Sequence, residues 1–544
     1  MKRWLSLIFF ALVLGSCARV GSPVGGARDT IAPKFVKANI DSTRINVPTD
    51  LRELRLEFNE LITLRDISRN LTITPEIRHI KRILPSNLGN RYILIRWEED
   101  LQPNTTYSFN FGNAIADLNE GNALPYFNFA FSTGPEIDNL YISGEVSDAM
   151  KGSGAEQRDP KSNIVVGLYP ETAGRADFTK KPYYITRADP DGYFELSYLA
   201  EGRYRILAFN DENQNSAYDA GKESVAFLKS GFDLNENISG MKLSLMPVKK
   251  RLRFSEAREV PGGILMLFEG GPEQVEISPE DERLTEYKTT HRTRSDSVRI
   301  WFDAQAQNLG QGKSENMKFR YRADTLSGTA SIFYRMSPKN EMTLQSYSGG
   351  SIHPENSFEI VSNYEIHAID TQKWTLKTDS INQQFTAEIS SDNPFKILVK
   401  SQFEPSRRWQ LDIPKGSVRS YYESPASSYR FEFETARRED FGTITFQLKN
   451  APDSKFWFQL LDERFEPVYS QFTQGGLIKF SALKPGRYTA RILVDNDGNG
   501  VYDYADFQSG TPAEDVYIYK KPIEIRALWE MVETWDLRND EKTS

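Results

Sequence analysis

Leu199-Ala-Glu-Gly-Arg-Tyr204, which runs on into Arg-Ile-Leu-Ala-Phe209, returns 284 residues later as Leu483-Lys-Pro-Gly-Arg-Tyr488. At the same offset Ile478 and Phe480 fall on Phe194 and Leu196, so the repeat covers a strand, a turn and the next strand. Internal duplication is the simplest account of such a fixed offset. The copy extends upstream: Phe431-Glu-Phe-Glu-Thr435 mirrors Phe129-Ala-Phe-Ser-Thr133, and Trp409-Gln-Leu-Asp-Ile413 stands in the place of Tyr107-Ser-Phe-Asn-Phe111. These runs, like Leu54-Arg-Leu-Glu-Phe58 and Tyr92-Ile-Leu-Ile-Arg-Trp97, are apolar at every second residue, the period of a strand with one buried face. No long segment carries the 3.6-residue period. The chain is therefore expected to be all-β, a tandem of sandwiches in which each sheet packs its apolar face on a partner sheet.

At 544 residues the chain exceeds one ordinary core and predicts roughly three to five domains. Its formal charge of -8 is spread along the chain without a Lys/Arg block, which argues against a nucleic-acid partner. The N-terminus is more specific. Lys2 and Arg3 precede an apolar run from Leu5 to Leu14, and Leu14-Gly-Ser-Cys17 ends in the only cysteine of the chain. This is a secretory leader, too short in its apolar part to span a bilayer. With one cysteine, a disulfide framework and CxxC metal sites are both excluded.

Leu14-Gly-Ser-Cys17 resembles a bacterial lipobox, which implies that Cys17 becomes the lipidated first residue of the mature protein. Acyl chains contribute about 0.8 kcal/mol per buried methylene, so several would anchor the protein to a membrane essentially permanently. Phe58-Asn-Glu60, Leu101-Gln-Pro-Asn-Thr-Thr-Tyr107, Asp117-Leu-Asn-Glu-Gly-Asn122 and Phe129-Ala-Phe-Ser-Thr133 together resemble the bacterial Ig-like domain of S-layer proteins. Asp189-Pro-Asp-Gly192 before Tyr193-Phe-Glu-Leu196, followed by the Leu-x-x-Gly-Arg-Tyr phrase, resembles a transthyretin-like or carboxypeptidase-regulatory sandwich. From the lipobox through Gly25-Gly-Ala-Arg-Asp-Thr-Ile-Ala-Pro33 to Arg526-Ala-Leu-Trp529, the chain is similar to Ig-like-domain lipoproteins of Bacteroidetes. That resemblance implies an envelope location. Acidic residues just after the cysteine tend to mark export to the surface in such bacteria, and Ala18-Arg-Val-Gly-Ser22 has none, which implies an outer-membrane anchor facing the periplasm.

The expected organisation is a signal peptide with lipobox over 1–17, a flexible tether over 18–30, an Ig-like domain over 31–135 and a transthyretin-like sandwich over 138–248. An additional β domain follows over 250–350, marked by Gly263-Ile-Leu-Met-Leu-Phe268 and Ser297-Val-Arg-Ile-Trp-Phe302, then a second Ig-like domain over 351–437. A second transthyretin-like sandwich with C-terminal strands closes the chain over 440–544.

No motif-grade catalytic set is present. His79, His291, His353 and His367 are scattered, and none stands two or four residues from another. No G-x-S-x-G elbow marks a nucleophile. Gly312-Lys-Ser314 ends like a phosphate loop, but Gln307 stands where that motif needs glycine. Glu98-Glu99 and Glu280-Asp-Glu282 read as solvated turns. The one constellation with chemistry in it is a pair of acidic loops. Asp495, Asp497, Asn499, the carbonyl of Val501, Asp503 and Asp506 place oxygens at the spacing of a calcium loop, with Gly500 at the sharp bend, a spacing that also resembles dockerin loops. The first copy keeps Asp211, Asn213, Asn215 and Asp219 but has Ser216 for the glycine and Lys222 for the last acid. Each loop is expected either to bind Ca2+ or to hold itself by side-chain to backbone hydrogen bonds. The expected function is that of a non-enzymatic, lipid-anchored envelope scaffold with a protein partner. The alternative is a surface-exposed glycan- or protein-binding adhesin that uses the aromatic strands of its third and fourth domains. A hydrolase would require a concave site uniting a histidine with carboxylates.

Overall fold

The computed structural model describes residues 29–538 except 87, 153–162, 175, 337–340, 348–350 and 508–509. The leader, Cys17 and the tether up to residue 28 lie outside the described residues. The chain is nearly all-β. Among the described residues the one α-helix is a single turn, Ile67–Asn70.

In the first unit one sheet runs in the order Phe35–Ala38, Glu53–Leu64, Asn90–Trp97, Ile80–Leu84, and it faces a sheet of Thr72–Thr74, Thr106–Asn110 and Asn128–Ser132. The alternating residues do what their period predicts: Leu54, Leu56 and Phe58 point inward onto Phe109, Phe129 and Phe131. The third unit repeats this strand order with Arg253–Val260, Gly263–Glu269, Ser297–Trp301 and Lys288–His291, which face Val275–Pro279, Glu315–Ala323 and Leu326–Tyr334. The fourth repeats it again with Leu344–Ser346, Phe358–Ser362, Lys396–Ser401 and Phe385–Ile389, facing Thr375–Thr378, Arg408–Ile413 and Tyr429–Thr435. Thus three units share one topology, and Leu344–Ser346, inside the stretch expected as the third, pairs into the fourth. Trp301 joins these two units. It stacks on Tyr364 with ring centroids 5.8 Å apart, and its indole N–H donates to Thr290 Oγ1 at 2.9 Å and Glu365 Oε2 at 3.2 Å.

The second and fifth units share a different topology. The second places Tyr184–Arg187, Ile164–Pro170, Gly202–Asn210 and Val225–Phe227 in one sheet, with Phe232–Leu234 also on Gly202–Asn210, over a sheet of Tyr193–Leu199, Leu140–Asp148 and Ile238–Leu245. The fifth matches strand for strand: Pro467–Thr473, Phe456–Leu461, Gly486–Val494 and Val516–Ile518, with Ile523–Ile525, over Leu477–Leu483, Gly442–Lys449 and Glu530–Asp536. In both, the first and last strands pair in parallel, which closes the unit with its own ends. The shared Gly-Arg-Tyr phrase has a mechanical reason. Tyr204 donates its hydroxyl to the Ala200 carbonyl at 3.0 Å and Tyr488 to that of Lys484 at 2.8 Å, so each ring folds back over its own turn. A Cβ on Gly202 would meet the Tyr204 ring at 3.3 Å, tight enough to favour glycine, whereas on Gly486 it would stand 3.8–3.9 Å from the Tyr488 ring, an ordinary contact.

These two units also pack on each other. Ile206 and Ala208 face the second unit's own core, whereas Leu207 and Phe209 point the other way, and all four are buried. Over that outer face lie Phe178, Tyr218 and, from the fifth unit, Phe507, whose ring sits 5.1 Å from Phe178, 5.5 Å from Tyr218 and 5.1 Å from Phe227. The fifth unit's outer face, with Leu493 and Val516, is covered by Ala149 and Met246 of the second together with its own Tyr502. Arg491 donates to the Met150 carbonyl at 3.0 Å, and Val248 and Ala505 form a parallel bridge.

Phe446 anchors the fifth core: it is fully buried, with the rings of Phe458, Tyr519 and Trp535 at 4.8, 5.7 and 6.5 Å. Phe446→Ala is expected to cost about 3–5 kcal/mol in the unfolding of this unit. Denaturant titration checks it, and a superimposable curve would contradict the packing described.

Candidate functional site: twin acidic loops and the cleft beside them

Each acidic loop leaves the end of a central strand, Gly202–Asn210 in the second unit and Gly486–Val494 in the fifth. The two backbones bend alike. Gln214 and Ser216 have φ of 62° and 60°, and their counterparts Gly498 and Gly500 have 76° and 78°. The first loop thus places two non-glycine residues in the left-handed region that the second fills with glycine.

In the first loop the fully buried Asp211 accepts hydrogen bonds from the backbone N–H groups of Asn215 and Ser216, both at 3.0 Å, and from Asn163 Nδ2 at 3.3 Å. It also faces Arg187, whose Nη1 lies 3.4 Å from its carboxylate. Burial draws the Arg187 guanidinium below its ordinary range, and the Asp211 charge holds it up. Asn213 Nδ2 donates to Asp219, and Asn213 Oδ1 accepts from Asn215 N–H at 3.0 Å. Glu223 closes the loop, accepting from the backbone N–H of Glu212 at 3.1 Å and of Asp219 at 2.9 Å.

The second loop repeats this framework. Asp495, 2% exposed, accepts from Gly500 N–H at 2.9 Å through Oδ2, while its buried Oδ1 has no hydrogen-bond partner among the described residues. Asn499 Nδ2 donates to Asp497 at 2.9 Å and Asp503 at 2.7 Å, and its Oδ1 accepts from Val501 N–H at 2.8 Å. Glu514 does here what Glu223 does in the first loop, accepting from the N–H groups of Asn496 at 2.6 Å and Asp503 at 2.8 Å. Burial raises the Glu514 carboxyl above its ordinary range. Of the residues predicted from spacing, Asp495 and Asp497 converge, and with Glu514 they present oxygens within 4.8 Å of one another. Val501 is exposed at the loop tip, and Asp506 lies past the loop in an antiparallel bridge with Thr511.

Sequence reasoning missed both bracketing glutamates. Glu514 follows Glu223 by 291 residues while the loops stand 284 apart, so an insertion of seven residues hides the correspondence. The insertion is what carries Phe507 into the second unit.

Beside this junction the two units enclose a cleft of about 1090 Å³. Lys151, Lys229, Lys242, Arg487, Lys520 and Lys521 line it against Glu145, Asp462 and Glu463. No histidine lines it. His353 is buried edge-on to Phe441, His367 stacks on Tyr421, and the His291 ring lies 3.1 Å from the Ser295 carbonyl. The aromatic strands of the third and fourth units turn Trp301, Phe319, Phe358, Trp374, Trp409 and Phe433 inward, and the exposed rings there, among the described residues, are Phe333 and Tyr347.

Residues 29–133 match the bacterial Ig-like domain. No curated protein matches the chain. Among solved structures the chain aligns with surface layer protein SbsC, domains 1–6, at 9% identity and a TM-score of 0.15, covering 91% of this chain and 66% of that one. It aligns with the Bacillus anthracis TIE protein at 10% identity and 0.14, covering 98% and 78%. It also aligns with Bacteroides ovatus SGBP-B of the mixed-linkage glucan utilization locus, in complex with mixed-linkage heptasaccharide, at 7% identity and 0.18, covering 67% and 89%. Superpositions this loose carry no argument about function.

The Glu223 carboxyl is pushed up to about 7, chiefly by burial, against an ordinary 4.5. The folded state therefore keeps a proton that the unfolded chain releases, and its stability falls as pH rises from about 4.5 to about 7 and levels above. Glu223→Gln is expected to remove that slope, so the melting temperature of the variant gains on the wild type across this window. Parallel melting curves from pH 4.5 to 8 would contradict the assignment.

Proposed function

We propose that this protein is a non-enzymatic scaffold of the bacterial envelope, lipid-anchored through Cys17 to the outer membrane and facing the periplasm, with a protein partner bound at the junction of its second and fifth units. The observation that carries this reading is that junction. Two sandwiches of one topology, far apart in the chain, meet through two buried clusters, so five modules on a tether become a braced body instead of beads on a string. The cleft beside the layer exceeds the roughly 300–1,000 Å³ of an ordinary ligand pocket and is wide enough for a polypeptide segment. Its six cationic side chains outnumber its three acids, so the partner is expected to present an acidic segment. The leader and the lipobox-like Leu14-Gly-Ser-Cys17 support the location, and the Ig-like match supports a modular envelope protein.

Cys17→Ala is expected to move the protein from the membrane to the soluble fraction, and retention with an uncleaved N-terminus would refute the anchor. Protease treatment of intact cells should leave the chain whole, whereas digestion would favour surface display as an adhesin. In crosslinked pull-downs from intact envelopes, Lys229→Glu with Lys521→Glu should lose the captured partner, and undiminished capture would remove the cleft from the account.

A further inference from the structure

The twin loops are an internal control on one another. In the first, the buried Asp211 carboxylate has its positive charge built in: Arg187 from the edge strand Tyr184–Arg187, supported by the Asn163 amide. Strand pairing identifies the equivalent positions in the fifth unit. Arg187 lies opposite Val165, which lies opposite Phe209; Phe472 lies opposite Trp457, which lies opposite Leu493. Phe472 therefore stands where the arginine stood. Asn163, whose carbonyl accepts from Asp211 N–H, is matched by Lys455, whose carbonyl accepts from Asp495 N–H. The Lys455 ammonium does not replace the guanidinium, because it lies over the Phe472 ring, 5.7 Å from its centroid.

Asp495 is thus nearly as buried as its twin but has lost the cation, and its Oδ1 is left without a partner among the described residues. An unpaired carboxylate in such surroundings is costly unless a cation or a proton joins it. Around it one acid has changed place: Asp497 replaces Asn213 while Asn496 replaces Glu212, and Asp503 and Glu514 remain where Asp219 and Glu223 stand, so Asp497 joins Asp495 and Glu514 in one cluster. The ion pair of Asp211 with Arg187 has no counterpart at Asp495 among the described residues. Glycines at 498 and 500 relieve the bend that Gln214 and Ser216 hold under strain. Loss of the internal cation, a carboxylate moved in beside Asp495 and a relaxed backbone all point the same way.

We propose that the second loop is a Ca2+ site built on Asp495, Asp497 and Glu514, and that the first loop is its metal-independent counterpart, in which the Arg187 guanidinium takes the ion's place. The site is carboxylate-rich and all-oxygen, as calcium requires. Asp503, held to Asp497 through the Asn499 amide, is the next oxygen donor at hand. Glu514, a residue outside the twelve-residue spacing, is a defining ligand. Since the chain between Asp506 and Glu514 carries Phe507 into the second unit, the ion would also fasten the base of the segment that docks the two sandwiches.

Calorimetric titration of the full-length, EDTA-stripped protein with CaCl2 tests this directly. One ion per chain is expected, with a rise in melting temperature. The exposed Asp497→Asn should weaken binding about tenfold or more, and Asp495→Asn should abolish it, while Asp219→Asn in the first loop should leave both stoichiometry and affinity unchanged. Absence of binding at about 5 mM Ca2+, an Asp497→Asn isotherm like the wild type's, or a second ion that disappears with Asp219→Asn would each overturn the proposal.

Discussion

A sheet that is apolar on both faces cannot leave either face in water. In the second unit, strand Gly202–Asn210 buries Ile206 and Ala208 in its own sandwich and Leu207 and Phe209 on the opposite side, and Gly486–Val494 does the same in the fifth with Ile492 and Leu493. Each isoleucine, leucine or phenylalanine among them contributes about 1.5–3 kcal/mol when withdrawn from water. An isolated sandwich has only one partner sheet to offer, so the second face needs further cover: in the second unit its own Phe178 and Tyr218 with Phe507 of the fifth, and in the fifth its own Tyr502 with Ala149 and Met246 of the second. Each copy completes the other's cover, and that contact brings the acidic loops to the junction and leaves the cleft beside it.

Duplication supplied two copies of one framework, and divergence at a few positions separated their electrostatics. Both loops leave the same strand end, both carry a buried first aspartate, and both are closed by a glutamate that accepts from the second and ninth backbone N–H groups. What differs is the source of positive charge for the buried carboxylate. Arg187 against Asp211 is a structural pair that asks nothing of the solvent. Phe472 and Lys455 turn their attention to each other and leave Asp495 to be satisfied from outside. The same seven-residue insertion that moved Glu514 along the chain produced the Phe507 wedge, so one change altered both loop and interface.

The sandwiches were legible because alternation in runs such as Leu54–Phe58 and Phe431–Thr435 reports directly which residues face a core. The Gly-Arg-Tyr repeat was legible for a similar reason, since a tyrosine that bonds back over its own turn demands a fixed local spelling. The kinship of the third unit with the Ig-like topology was not, because strand order is set by long-range pairing that leaves no short motif. Glu223 and Glu514 escaped for the same reason at smaller scale: their partners are backbone N–H groups distant in sequence, and the insertion shifted one of them. A signal for the docking was present. Ile-Leu-Ala-Phe209 is apolar at consecutive positions, the mark of a strand buried on both faces rather than one.

The central claim is that the second and fifth units share a buried layer in the folded chain. Val248 and Ala505 are partners in an isolated parallel bridge, whose backbones stand about 4.8 Å apart as in a sheet. That lies within the roughly 4.4–6.8 Å that a disulfide spans. In a Cys17→Ala background, Val248→Cys with Ala505→Cys supplies the only two thiols in the molecule. The account predicts that mild oxidation links them, seen as a crosslinked peptide pair by mass spectrometry in the folded protein. Two free thiols in a chain whose sandwiches remain folded would contradict it.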